Sequence, residues 1–283
     1  MLVQQIIAKL NLQKRGLVEI FSAKGNSRVA FIFVHGFRST SANTWEAQLR
    51  PRKYNRTVAS FWPVALGQQY AATVLAFNYP NDWFGRSPLA SMDIDIVAQE
   101  LADRLYDISH AYDEIVFFTH SFGGLLVKSL LVKLASSDPG PRSMLRKVRG
   151  FCAFSCPNNG SPWALISRVP MIASPNFKAL KWNSPRLQKL DQDFSVVVRQ
   201  NTNGQFHILT YAEYGYVARI FRVEPETCKF PHLADISSDI DSPCNHTAIC
   251  KAVLDDPDRA TALHSYLNEL SLGRYEEPPL GPR

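Results

Sequence analysis

Ser121 is the residue of this chain whose setting most suggests chemistry. It lies in Thr119-His120-Ser121-Phe122-Gly123-Gly124, between a short apolar β-prone run, Ile115 to Phe118, and an apolar helical pattern carried by Leu125, Leu126, Leu130 and Leu131. A strand that turns straight into a helix holds the central residue of the turn on a strained backbone and pushes its side chain out at the strand's end. Small residues are needed two before and two after the serine because the helix packs close; here they are Thr119 and Gly123. Serine is also a favoured helix N-cap, so the turn alone does not make it a nucleophile.

Acyl transfer by a serine needs a base for the hydroxyl proton, an acid to orient that base, and donors for the oxyanion. After such a strand–turn–helix the order along the chain is serine, acid, histidine. Among the seven histidines, His35 and His120 precede or abut the serine, His110 ends a helical stretch and His207 falls in a strand-like one. Of the three later ones, His264 lies inside a terminal helical pattern. His246, in Asn245-His246-Thr247-Ala248-Ile249-Cys250, is the choice for the base, with His232 second. Glu213 follows the strand-like Phe206 to Tyr211 and is the choice for the acid, with Glu224 as fallback; Asp235, Asp239 and Asp241 read as solvated loop or capping residues. The oxyanion donors are expected to be the backbone N–H groups of Phe37 and Phe122. His35, Gly36, His120 and Trp163 are expected to face substrate.

The elements that must position these groups alternate. Leu17–Phe21, Val29–Val34, Ala72–Asn78, Ile115–Phe118, Val148–Ser155, Gln205–Tyr211 and Val217–Val223 read as strands, several apolar without alternation, as strands covered on both faces are. Met92–Ile108, Ser184–Gln200 and Asp258–Leu270 read as helices. Such alternation specifies an α/β fold with a mostly parallel sheet and helices on both faces. The 283 residues fit one domain, with residues 1–16 at its edge and a Pro-rich tail, about 275–283, expected to be disordered. Residues 161–190 differ in character: no Asp or Glu, five basic residues, and Trp163, Met171, Ile172, Phe177 and Trp182. They read as a small cap whose aromatic and basic face meets an acyl chain or lipid surface.

Composition is that of a globular protein, 46% hydrophobic and 20% charged, with a net charge of +6. No basic run of nucleic-acid type occurs, and the N-terminal apolar stretch is too short and interrupted for a signal peptide or membrane span. Five cysteines, an odd number, read as reduced thiols of a cytoplasmic protein. No cofactor is implied, and the sequence is silent on oligomeric state.

In order along the chain, GLVEI, FIFVHGF with a following TW, FWPVAL, VLAFNYP, IVFFTHSFGGLLVKSLL, GFCAFSCPNNGSPWA and NHTAICK resemble a family of serine esterases and lipases. That family is typified by the "serine active site containing" protein and the related inositol-deacylase group. The resemblance covers roughly Gly16 to Ala252. It implies an α/β-hydrolase fold acting on lipid-like esters, with Ser121 as nucleophile, His246 as base and Glu213 at the acid position. The chain departs from the family pattern at Thr119, where glycine is usual, at Asn245, where aspartate is usual, and in Cys156-Pro157-Asn158-Asn159-Gly160, where Thr-Pro-His-x-Gly is common. Three other readings compete. A metal-binding module could use Cys228, His232, Cys244, His246 and Cys250. An inactive hydrolase fold could serve as a binding scaffold. An acyltransferase could use the same acyl-enzyme with another acceptor than water.

Overall fold

The computed structural model describes residues 14–23, 27–36, 39–49, 58–79, 93–160, 184–201, 206–214, 216–217, 221–222, 225–251 and 253–272. Phe37, Trp163, Glu224, the 1–13 edge, most of the expected cap and the Pro-rich tail therefore lie outside the described residues.

Chain order runs β1 (Gly16–Phe21), β2 (Val29–Val34), α1 (Ser41–Trp45), β3 (Glu46–Leu49), β4 (Val58–Phe61), α2 (Trp62–Gln69), β5 (Thr73–Asn78) and α3 (Ile94–Ile108). It continues with β6 (Glu114–His120), α4 (Phe122–Ala135), α5 (Pro139–Ser143), β7 (Val148–Phe154), α6 (Pro185–Asn201) and β8 (His207–Glu213). The last elements are β9 (Tyr216–Val217), β10 (Phe221–Arg222), β11 (Ser237–Ser242) and α7 (Pro257–Glu269).

Seven strands form one sheet in the order β1-β5-β2-β6-β7-β8-β11. All neighbouring pairs are parallel except β1 on β5. Alternate residues of β2 enter opposite cores. Ala30, Ile32 and Val34 pack with α3, α4 and α6 on one face, and Val29, Phe31 and Phe33 with Trp62, Leu66, Leu263 and Leu267 of α2 and α7 on the other. Two buried faces explain why the central strands read as continuous apolar runs. The chain passes from β2 outward to β5, then crosses back to β6 on β2's other side. At such a reversal the loops beyond the strand ends diverge and leave a crevice. The residues ending β2 and β6, His35-Gly36 and Ser121, lie at that crevice.

Two readings from sequence are corrected. Val217–Val223 is not one strand: Tyr216–Val217 and Phe221–Arg222 pair with each other as a short antiparallel hairpin, so they satisfy one another instead of extending the main sheet. Asp239 and Asp241 are not in a loop; they belong to β11, the parallel edge strand on β8. An edge strand needs one pairing neighbour and no buried face, so SSDIDS carries no apolar signal.

Candidate active site

Ser121 links β6 directly to α4 with φ +52° and ψ −123°, a region where a non-glycine residue is strained. The surroundings over-determine this conformation. Ser121 N–H donates to the Phe154 carbonyl at 2.8 Å, and the Gly124 N–H to the Ser121 carbonyl at 3.0 Å. Gly123 lies against the end of β2: a Cβ there would stand 2.6 Å from the carbonyl oxygens of Val34 and His35. Thr119 fits where glycine was expected because it is fully buried with its hydroxyl directed at the Cys152 carbonyl, 3.4 Å away.

His246 and Glu213 arrive from the far side of the sheet. Glu213 ends β8 and is 1% exposed. Its partner in register on β11 is Ser242, whose carbonyl accepts from Tyr214 N–H at 3.1 Å. Four residues beyond Ser242 stands His246. Its Nδ1 lies 2.6 Å from Glu213 Oε1 and its Nε2 lies 2.9 Å from Ser121 Oγ. A carboxylate only accepts, so Nδ1 carries the proton and Nε2 accepts from the serine hydroxyl. The three side chains selected from sequence thus form one hydrogen-bonded chain.

The loop holding His246 is fastened by donors from three elements and by a lysine of its own. His120 Nε2–H donates to the His246 carbonyl at 2.7 Å. Trp62 Nε1–H donates to the Cys250 carbonyl at 2.9 Å, Lys251 Nζ to the Asn43 carbonyl at 2.7 Å, and Arg259 Nη1 to the Ile249 carbonyl at 2.8 Å. Asn245 caps the turn, its Oδ1 accepting from Thr247 and Ala248 N–H at 3.1 and 2.9 Å. An aspartate oxygen would accept the same bonds, which accounts physically for the exchange.

His35 and His120, expected to face substrate, are 1% and 6% exposed. His35 stacks on Tyr79, with ring centroids 4.3 Å apart, and its Nδ1–H donates to the Gly36 carbonyl at 2.9 Å. Burial pushes its pKa down to about 4. Burial, and then the neighbouring His246 charge, pushes His120 down to about 3. His120 therefore stays neutral beside His246 and does not compete for its proton. Gly36 lies against both: a Cβ there would be 2.8 Å from His120 Nδ1 and 3.1 Å from Ser121 Cβ. Phe122 begins α4 with its side chain buried.

Among the described residues, His232, Asp235 and His264 have partners elsewhere. His232 Nε2 stands 3.9 Å from Asp191, Asp235 pairs with Arg199, and His264 Nδ1 lies 2.9 Å from the Tyr70 hydroxyl. The residues of the metal-module reading do not converge: among the described residues no three His, Cys, Asp or Glu side chains gather as ligands would. All five cysteines are free, and burial pushes Cys228 and Cys250 up to about 12, so they stay thiols. Sequence reasoning missed a buried cluster below the site: Lys128, Asn158 and Asp191. Its one signal was a lysine amid the apolar residues of α4.

No family model matches the chain. It is 27% identical to human protein SERAC1 over 237 residues, 78% of this chain and 36% of that protein. To SERAC1 of Danio rerio it is 25% identical over 199 residues, 64% of this chain and 30% of that protein. The chain thus spans about a third of the length of the curated relatives it matches. Among solved structures, the mature Bacillus licheniformis lipase BlEst2 superposes with a TM-score of 0.54 at 13% identity, covering 87% of this chain and 97% of that one. Esterase B from Lactobacillus rhamnosis gives 0.51 at 13%, covering 90% and 80%. With the sheet order and the turn at Ser121, these likenesses show that the chain has the α/β-hydrolase fold.

Proposed function

We propose that the chain is a serine hydrolase that cleaves carboxylic esters through an acyl-enzyme, with a lipid-like ester as substrate. The observation that carries this reading is the bonded chain Ser121–His246–Glu213, 2.9 and 2.6 Å, mounted on a strained turn at the crevice of the sheet. Ser121 Oγ attacks the ester carbonyl while His246 Nε2 takes its proton. Glu213 holds Nδ1–H and stabilises the imidazolium that forms. The carbonyl oxygen becomes an oxyanion, received by the N–H of Phe122 at the positive end of α4 and by that of Phe37. Collapse expels the alcohol, which takes the proton back from His246. Water then repeats the cycle on the acyl-enzyme and releases the acid. His35 and His120 are given positioning roles, since each is buried and bonded to backbone near the site.

The lipid-like substrate is supported by the apolar and basic composition of residues 161–190 and by neighbours named lipase and esterase. The same composition supports contact with a lipid surface.

Labelling with a fluorophosphonate tests the reading. The wild type is expected to label at Ser121, and Ser121→Ala and His246→Ala to lose the reaction by about a thousandfold or more, with a smaller loss for Glu213→Ala. A folded wild type that does not label would refute the hydrolase. Turnover of short soluble esters with no gain for longer acyl chains would refute the lipid-like substrate alone.

A further inference from the structure

We infer that Tyr79 is a positioning residue for the oxyanion site: its hydroxyl and ring hold His35, and His35 in turn holds the peptide unit that follows Gly36. The inference rests on the serine-hydrolase reading.

Tyr79 is the first residue beyond β5, and the parallel pairing of β5 with β2, Phe77 beside Val34, brings it alongside the end of β2. It is buried, with its ring stacked on that of His35 at 4.3 Å and 5° between the planes, and on Phe77 at 5.7 Å. Its hydroxyl donates to the His35 carbonyl at 2.8 Å. Burial pushes the pKa of that hydroxyl up, so it stays a donor under any ordinary assay condition. The same carbonyl is one that Gly123 approaches in the first turn of α4. The backbone of residue 35 is thus held between the end of β5 and the start of the helix that follows Ser121.

His35 passes the constraint on. A carbonyl only accepts, so Nδ1 carries the imidazole proton and donates to the Gly36 carbonyl, 2.9 Å away. That carbonyl and the N–H of Phe37 belong to one peptide unit, which is planar and, when trans, carries the two groups on opposite sides. Holding the carbonyl therefore aims the N–H. Gly36 is close enough to the nucleophile for the aim to matter: a Cβ on it would stand 3.1 Å from Ser121 Cβ. An oxyanion donor stabilises the transition state only when it points to where the charge develops, and its bond weakens steeply as the peptide rocks away. Phenylalanine at position 79 would fill the same space with no buried hydroxyl to satisfy. What it would not supply is the bond that keeps His35, and through it the Gly36 carbonyl, in place.

The test compares the wild type with Tyr79→Phe, which removes the hydroxyl alone, with His35→Phe, which keeps a ring on Tyr79 but loses the donor to Gly36, and with the double variant. Fluorophosphonate titration counts the reactive serines, and kcat and KM for p-nitrophenyl acetate, inhibition by trifluoroacetophenone and urea unfolding are measured. Ser121 Oγ adds to the carbonyl carbon of that ketone, the π electrons move to its oxygen, and the serine proton passes to His246 Nε2. The adduct carries the oxyanion and has no leaving group. Each single variant is expected to lower kcat per reactive serine about tenfold with KM nearly unchanged, and to weaken inhibition by the ketone by a like factor. The double variant is expected to lose about tenfold in all, not about a hundredfold, because both side chains act on one peptide unit. A merely structural hydroxyl would lower the urea midpoint and the count of reactive serines but leave kcat per serine and the ketone's affinity unchanged. That outcome, or fully additive losses in the double variant, would overturn the proposal. Should Tyr79→Phe not fold, His35→Phe decides, and unaltered kcat and ketone affinity there overturn it equally. A wild type that turns over no ester removes the hydrolase reading and this inference with it. An active wild type beside an unaltered Tyr79→Phe removes this inference alone.

Discussion

From Ile115 to Leu131 every residue except Ser121 is buried, whereas from Ser237 to Thr247 only Ser242 is. The first stretch brings Ser121 to the site from the centre of the sheet and the second brings His246 from its edge. Their means differ accordingly. The central stretch is held by close packing: Gly123 and Gly124 admit the helix against the end of β2 and against Cys156 just after β7, and Ser121 is held at its strained φ between them. The edge stretch has little apolar surface to bury, so its position comes from directed bonds: His120, Trp62 and Arg259 donate to carbonyls of the His246 loop, and Lys251 of that loop donates to the Asn43 carbonyl of α1. Packing fails abruptly when a single atom is added, whereas a set of hydrogen bonds fails by degrees. Substitutions in the two stretches should therefore have effects of different size.

Gly123→Ala should produce the largest effect. Its Cβ meets backbone oxygens of Val34 and His35, which cannot rotate away, so a loss of about 3 kcal/mol or more is expected in urea unfolding, with labelling of Ser121 abolished. A stable, active Gly123→Ala would break the contrast between the stretches.

A smaller loss is expected at the hinge between them. His120→Leu removes the donor to the His246 carbonyl and should slow labelling about tenfold, while His120→Gln, which offers an amide donor, should keep most of the rate. The same residue shapes the response to acid. Its pKa lies at about 3 in the folded protein against 6.5 for the unperturbed imidazole, so the native state keeps it neutral. Its contribution to stability is complete above pH 6.5 and drains away as pH falls toward 3, because the unfolded chain binds the proton first. His35, at about 4, acts in the same direction. Stability measured by denaturant between pH 6.5 and 4 should thus fall with a slope of up to about 1.4 kcal/mol per pH unit for each histidine, shallower by one proton in His120→Gln. An unaltered slope in that variant would show that His120 is not the group titrating.

Ser121→Gly should give the smallest change, and of opposite sign. Glycine accepts φ +52° without strain, so the variant should gain about 1 kcal/mol of stability as it loses its reaction with fluorophosphonate. A loss of stability would mean that the turn is not strained in the folded protein.

Legibility in the sequence followed the same division. The strands around Ser121 and the flanking helices emerge from apolar runs and helical periodicity, and β2 matches its expected bounds, Val29 to Val34. β11 was hidden because an edge strand bonded to one neighbour needs no apolar residues, and Asp239 and Asp241 looked like a loop. The hairpin of β9 and β10 was hidden by the opposite error, an apolar run long enough to suggest one strand. Lys128 was visible as an oddity, but its partners Asn158 and Asp191 lie 30 and 63 residues away, and nothing local to any of the three indicates that they meet.

Taken by itself, the sequence determined the serine turn. Strand, turn and helix there are contiguous, so every steric demand falls on residues a few positions apart. The sequence could order its candidates, His246 before His232 and Glu213 before Glu224, but only tertiary structure brings His246 to Ser121 and Glu213 to His246, since Ser121 and His246 are 125 residues apart in the chain. Their 2.9 Å separation depends on where β8 and β11 lie in the sheet and on donors from β6, α2 and α7. Such long-range geometry results from closing loops against their entropy and satisfying buried polar groups, and no short stretch of sequence carries it.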